Sequence, residues 1–382
     1  MKIRKILLLA GEESGLLYAE RLKDALQDAC PGEVMEFRGY QSEGFKTADL
    51  AVMGFWPVLK RLFFFLGVAR TMKRLVREWR PEAVVTVDYP GLNLKLAAYA
   101  KSLGIPAIHV VCPQVWAWHQ GRIPKVAAAL TKLLCFFPFE PPLFKGTSLD
   151  ARFIGHPLAD VFAAETAQAA QRGKATAAAK ILALLPGSRI GEIQRILPRL
   201  LRAVHLLART GAAAGLSIRI PAANDRAYAE IERQVRANPP PAAFRLEIVR
   251  GKAREVLRQA DCAAVASGTA TLEAALARCP TVLVYAVSPL LAWFARRVIK
   301  GVRHIGLANV IAEKTGTPPP MPELLQEAFT PESVAAWLSA WLADPAAREQ
   351  AVASLDTTMA LLKSDGDALG NAAREILACV RP

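Results

Sequence analysis

Two short glycine-bearing turns constrain this chain more than any other feature. They are Leu184-Leu185-Pro186-Gly187-Ser188-Arg189 and Ala266-Ser267-Gly268-Thr269-Ala270-Thr271-Leu272-Glu273. Each follows an apolar, strand-like run (Ile181 to Leu185, Ala263 to Ala266) and opens a helix-like one. A glycine turn between strand and helix exposes backbone N–H groups at a helix N-terminus, where anions are favoured. Two such turns in one half of a chain, one carrying an arginine, point to a diphosphate site.

Apolar runs alternate with helix-like ones along most of the sequence. Lys5 to Ala10 reads as a strand, Gly11-Glu12-Glu13-Ser14-Gly15 as its turn, and a helix follows through Leu26. Further strands are expected at Pro81 to Val87, Ile105 to Val111 and Leu133 to Phe137. The alternation restarts at Lys180 to Leu185 and runs through Ser217 to Pro221, Arg245 to Val249, Cys262 to Ala266 and Thr281 to Tyr285. At 382 residues the chain exceeds one ordinary core. The expectation is an α/β protein with two Rossmann-like domains facing each other across a cleft. The first spans 1–162 and the second 163–355, and a helical tail, 356–382, packs back on the first. Strand ends in the first half carry Asp88-Tyr89-Pro90-Gly91-Leu92-Asn93, Pro113 to Trp118, and Pro138-Phe139-Glu140, at the edge where open α/β sheets bind ligands. Taken singly, Asp88 also reads as a helix cap, and Trp116 and Trp118 as packing.

The formal net charge of +14 suits phosphorylated substrates, anionic lipid or nucleic acid. No zinc-finger spacing or RNP-like aromatic strand accompanies it, so nucleic acid is not expected. Six cysteines without a C-x-x-C pair argue against a disulfide framework or zinc site and favour a reducing compartment. The longest uncharged stretch, Pro280 to Ala295, contains Pro289 and is too short to span a bilayer. Between Phe55 and Arg77, apolar residues including Phe63 and Phe64 mix with Arg70, Lys73, Arg74 and Arg77 in a helical pattern. Contact with anionic lipid or an acyl chain is favoured there over a buried helix with a solvated basic face. Leu290 to Lys300 repeats the pattern.

Taken together, Ala10 to Gly15, Pro113 to Trp118, Pro138 to Glu140, Phe153 to Asp160, Leu184 to Arg189 with Glu192, and Ser267 to Glu273 resemble the motifs of the lipid-A-disaccharide synthase family, in that family's order. Gly306-Leu307-Ala308-Asn309 and Pro322 to Gln326 resemble its late motifs, so nearly the whole chain is covered. The resemblance implies a GT-B glycosyltransferase, peripheral on the cytoplasmic side of the inner membrane. It would join UDP-2,3-diacylglucosamine to 2,3-diacylglucosamine 1-phosphate through a β(1→6) bond and release UDP. No D-x-D motif is present, and neither a metal nor a cofactor is expected.

On this resemblance, Gly187, Ser188, Arg189, Ser267, Gly268, Thr269, Glu273 and Asn309 bind the UDP-sugar, with Arg189 also stabilising the leaving diphosphate. Ser14, Asn93, Trp116, Phe63 and Phe64 fall on the acceptor and lipid side. The family's D-x-P-D-F-N pattern carries a second aspartate, proposed as the base, where this chain has Gly91, and Leu16 replaces the aspartate of G-E-x-S-G-D. Asp88, Glu12 or Glu13 could replace that base, and Asp88, at a strand end, is the expected one. The competing expectations are a nucleotide-sugar or lipid-binding paralogue with impaired or absent catalysis and, by fold analogy, a UDP-sugar epimerase.

Overall fold

A run such as Ile6-Leu7-Leu8-Leu9 has no polar alternation, so a strand built from it must be covered on both faces, as in a parallel sheet flanked by helices. A computed structural model describes residues 3–50, 62–117, 120–171, 180–210, 215–288 and 301–380, apart from the side chains of residues 13–14, 47–48, 62 and 167–171. It contains two such sheets, one in each of two compact units, Met1–Asp160 with Leu362–Pro382 and Val161–Leu361.

The first unit runs β1 (Ile3–Ala10), α1 (Glu13–Asp28), β2 (Val34–Arg38), α2 (Leu62–Trp79), β3 (Ala83–Val87), α3 (Pro90–Ser102), β4 (Ala107–Val110), α4 (Ile123–Ala129), β5 (Lys132–Cys135) and β6 (Asp150–Phe153). Helix α5 (Pro157–Gln171) leads out of it. The sheet is parallel, in the order β2-β1-β3-β4-β5-β6. Successive residues of β1 point to opposite faces. Ile6 and Leu8 pack in a cluster with Leu22 and Leu26 of α1, while Leu7 and Leu9 join Met72, Val76 and Leu96 of α2 and α3. Each such leucine contributes roughly 1.5–3 kcal/mol of burial.

The second unit runs β7 (Ile181–Leu185), α6 (Ile190–Leu207), β8 (Ser217–Ala222), α7 (Asp225–Ala237), β9 (Arg245–Arg250), α8 (Ala253–Gln259), β10 (Cys262–Ala266) and α9 (Thr269–Leu276). Then come β11 (Thr281–Tyr285), α10 (Leu307–Thr315), β12 (Glu323–Leu325), α11 (Pro331–Ala343) and α12 (Pro345–Ala360). Its parallel sheet has the order β12-β11-β10-β7-β8-β9. The chain then returns to the first unit, where α13 (Ala368–Val380) packs Ala372, Ile376 and Leu377 into the cluster beneath α1.

Two elements differ from expectation in ways that matter for the site. Helix α3 begins at Pro90, inside the stretch read as a strand end, because proline's fixed φ suits the first helical turn. Strand β6 was not anticipated, since its Asp-Ala-Arg-Phe sequence has no hydrophobic signature and it lies at the sheet edge. In both sheets the strand order reverses, between β1 and β3 in the first and between β7 and β10 in the second. The carboxyl ends of strands at such a reversal open a ligand crevice.

Candidate functional site

At the β7/β10 reversal lies a cavity of about 590 Å³. Gly187, Ser188 and Arg189 line it from one turn, and Ser267, Gly268, Thr269 and Glu273 from the other. Gly187 and Gly268 have φ of +106° and +146°, a region that L side chains rarely adopt. At Gly187 a Cβ would also lie 2.7 Å from Glu192 Oε2. The first N–H groups of α9 have no acceptor within their own helix, and Gly268, Thr269 and Ala270 border the cavity.

Three cations stand around this space: Arg189, Lys252 and Arg254. The Arg189 side chain is 70% exposed and donates from Nη1 to Glu192 Oε1 at 2.9 Å. Arg254 Nε donates to Glu273 Oε1 at 2.8 Å, and Lys252 Nζ lies 3.6 Å from Glu255. Lys252 and Arg254 escaped the sequence reading. A signal was there, because Gly251-Lys252-Ala253-Arg254 repeats the strand, glycine, cation, helix succession of the Gly187 turn.

Asn309 is not among the cavity-lining residues. It is fully buried, donates from Nδ2 to Met321 O and Glu323 Oε1, and accepts from the Met321 N–H. Glu323 in turn accepts the N–H groups of Ile305 and Gly306, and Ser267 Oγ donates to Ile305 O at 3.4 Å. Asn309 thus reaches the cavity wall through this chain of bonds.

At the β1/β3 reversal of the first unit stand Glu12 and Asp88. Asp88 and Tyr89 both adopt positive φ, 50° and 51°, which costs of order 1–3 kcal/mol per residue unless the surroundings enforce it. Asn93 enforces it. Fully buried, it donates from Nδ2 to Asp88 O at 2.8 Å and to Leu9 O and Val87 O at 3.3 Å, while its Oδ1 accepts from Tyr40 Oη at 2.7 Å. The absence of a side chain at Gly11 admits the Tyr89 ring, whose Cδ1 would lie 2.5 Å from a Cβ there. Burial raises the Asp88 carboxyl above its ordinary range, with the Tyr89 N–H bond partly opposing it. Burial also raises Glu12, and the neighbouring Asp88 charge adds to this. Two carboxyls with an increased hold on protons, at the ends of the adjacent strands β1 and β3, can exchange one proton with a bound hydroxyl.

Trp116 is buried, and its Nε1 donates to Glu140 Oε1 at 3.2 Å. Glu140 Oε2 accepts the Phe137 N–H, and burial pushes the carboxyl up to about 8. Among the described residues, Cys112, Cys135 and Glu140 form a buried group with ligand atoms within 4.8 Å of one another, a grouping that could hold a metal. Cys135 and Glu140 stand 23 and 28 positions from Cys112, so no short motif announced it. On α2, Phe63 is 87% exposed, whereas Phe64 stacks edge-on against Phe45 and Phe65. The side chain of Ser14, Trp118, and the parts of the two apolar-basic stretches at 55–61 and 290–300 lie outside the described residues. No helix among the described residues is long and apolar enough to cross a membrane.

The family model described as lipid-A-disaccharide synthetase matches residues 6–376. A lipid-A-disaccharide synthase of Anaeromyxobacter dehalogenans is 38% identical over 388 residues, covering 99% of this chain and 98% of its own. That of Neisseria meningitidis serogroup B is 36% identical over 351 residues, covering 89% of each. Among solved structures, Acinetobacter baumannii MurG aligns over 98% of this chain and 99% of its own, with a TM-score of 0.59 at 12% identity. The UDP-GlcNAc 2-epimerase of N. meningitidis, bound to UDP-GlcNAc, covers 98% and 99% with a TM-score of 0.57 at 11% identity. At these identities the structural matches establish the fold alone, a two-unit GT-B-like α/β architecture.

Proposed function

The chain belongs to the lipid-A-disaccharide synthetase family of lipid A glycosyltransferases, and from that premise we propose that it transfers 2,3-diacylglucosamine from UDP to the 6-hydroxyl of 2,3-diacylglucosamine 1-phosphate. The observation that carries this is the gathering of both glycine turns and three cations around one cavity at the β7/β10 reversal. The donor's diphosphate lies against the first N–H groups of α9 and against Arg189, and Glu273, steadied by Arg254, accepts from the ribose hydroxyls.

The acceptor oxygen attacks the anomeric carbon, the bond from that carbon to the diphosphate breaks, and UDP leaves with the electron pair. Arg189 offsets the charge that develops on the leaving oxygens. Asp88 takes the hydroxyl proton, and its burial strengthens its hold on that proton. The exposed Phe63 and the cations of α2 support a peripheral position on an anionic membrane face.

A second reading is favoured by one observation, the glycine at position 91. It is a protein that binds nucleotide sugar or lipid without transfer. Purified protein given both acylated sugars, with released UDP measured beside a Gly91→Asp variant, separates the two. Turnover by the native chain that Gly91→Asp does not raise supports Asp88 as base. UDP binding without release, restored by the variant, supports the second reading.

A further inference from the structure

Apart from the two strand-end sites, a groove of about 340 Å³ runs between α3 and α4. Leu94, Ala98, Val126 and Ala129 give it apolar walls, at the small end of ligand-pocket size. Lys95, Arg122 and Lys125 also line it, and no carboxylate does. None of these three side chains forms an ion pair or hydrogen bond with another described residue. A carbon-walled space with a wholly cationic rim complements a molecule that is apolar along its length and anionic at its head.

Pro90 and Gly91 line the groove as well, and they follow Asp88 and Tyr89 directly in the chain. The groove therefore adjoins the carboxyl pair of the first unit. We propose that it holds an acyl chain of the phosphorylated acceptor, with the acceptor's phosphate against Lys95, Arg122 and Lys125. The acceptor is the occupant, since the donor's phosphates are assigned to the other unit; in this the groove rests on the transferase reading above.

The groove also gives Gly91 a role. The residue is exposed, and a Cβ built on it meets nothing within 4 Å, so an aspartate would fit. It would, however, place a carboxylate among three cations at the groove. Glycine keeps that rim positive for an anionic head group.

The test is direct binding of the phosphorylated diacylglucosamine, in detergent micelles, to the full chain, to Ala98→Trp and to Lys95→Glu/Lys125→Glu. All three positions are exposed, and melting curves verify folding. Each variant is expected to lose about tenfold in acceptor affinity while UDP affinity stays within twofold. Ala98→Trp should lose nothing toward an acceptor stripped of its acyl chains. Unchanged acceptor affinity in the lysine pair overturns the inference, even if Ala98→Trp fails to fold. So does equal displacement of the acceptor by phosphatidylglycerol vesicles, which would make the groove a general lipid contact. Binding is read without turnover, so a native chain that binds acceptor through the groove but releases no UDP would sink the transferase reading and leave the groove standing. Normal turnover with unaffected groove variants would sink the groove alone.

Discussion

Arg254 Nε and Glu273 Oε1 lie 2.8 Å apart, joining the first turn of α8 to α9 at the wall of the β7/β10 cavity. The Glu273 side chain is 14% exposed, so its carboxylate is held in one orientation rather than swinging in solvent.

Removing Arg254 frees Glu273 to turn away. Arg254→Ala is therefore expected to weaken UDP binding about as much as Glu273→Ala, by roughly tenfold, with the double variant little worse than either. Isothermal titration with UDP measures the cycle; simple additivity would show that the pair does not act as a unit.

Arg189 is 70% exposed and, among the described residues, pairs only with Glu192 of its own helix, so it contributes little to folding. Arg189→Ala should leave the melting temperature unchanged. It should lower kcat/KM by on the order of 10²-fold, since its charge matters when the diphosphate departs. Released UDP under steady-state conditions is the readout.

Asp88→Asn should reduce kcat by roughly 10²–10⁴-fold with UDP affinity intact. The base works ionised, and burial raises its pKa, so activity should climb with pH above the ordinary carboxylate range. A rate profile between pH 4 and about 8 tests this; an acid limb below pH about 4 would remove Asp88 from the role.

Glu140 makes the opposite demand on stability. Its folded pKa of about 8 exceeds the ordinary glutamate value of 4.5, so the folded state holds the proton more tightly than the unfolded chain. That stabilisation is complete below about pH 4.5 and is lost as pH rises through about 8. The decline should amount to a few kcal/mol, by order of magnitude. Glu140→Gln should be less stable at low pH, because an amide lacks one of the two acceptors that meet Trp116 and Phe137, but its stability should be nearly flat over the same interval. Denaturant melts at several pH values decide the matter.

Phe63→Ser should leave stability within about 0.5 kcal/mol of native, the ring being exposed. Binding to anionic vesicles should fall by roughly tenfold and remain sensitive to salt. Unchanged vesicle affinity would move the membrane contact off α2.

Much of this was legible in the sequence where one local signal sufficed. Cys262–Ala266 and Thr281–Tyr285 have the limits expected of them, because each is a continuous apolar run that begins just after a charged residue or a proline. The cavity-lining turn residues were legible for the same reason. What stayed hidden depends on distance along the chain. Asn309 and Glu323 lie 14 residues apart, and nothing in their spacing says that they brace the loop beside Ser267. Strand β6 is specified by its neighbour β5 rather than by its own four residues. The approach of Tyr89 to Gly11 is likewise a product of two loops meeting, as is the buried group around Cys112.

The return of α13 to the first unit has a consequence for the nascent chain. Residues 161–361 emerge from the ribosome as a complete folding unit, whereas the earlier 160 must wait until Ile376 and Leu377 have been synthesised before the layer beneath α1 can close. The later-made unit is thus free to fold first, and the earlier one keeps an unfilled apolar seam, open to chaperones, for the time it takes to translate more than half the protein.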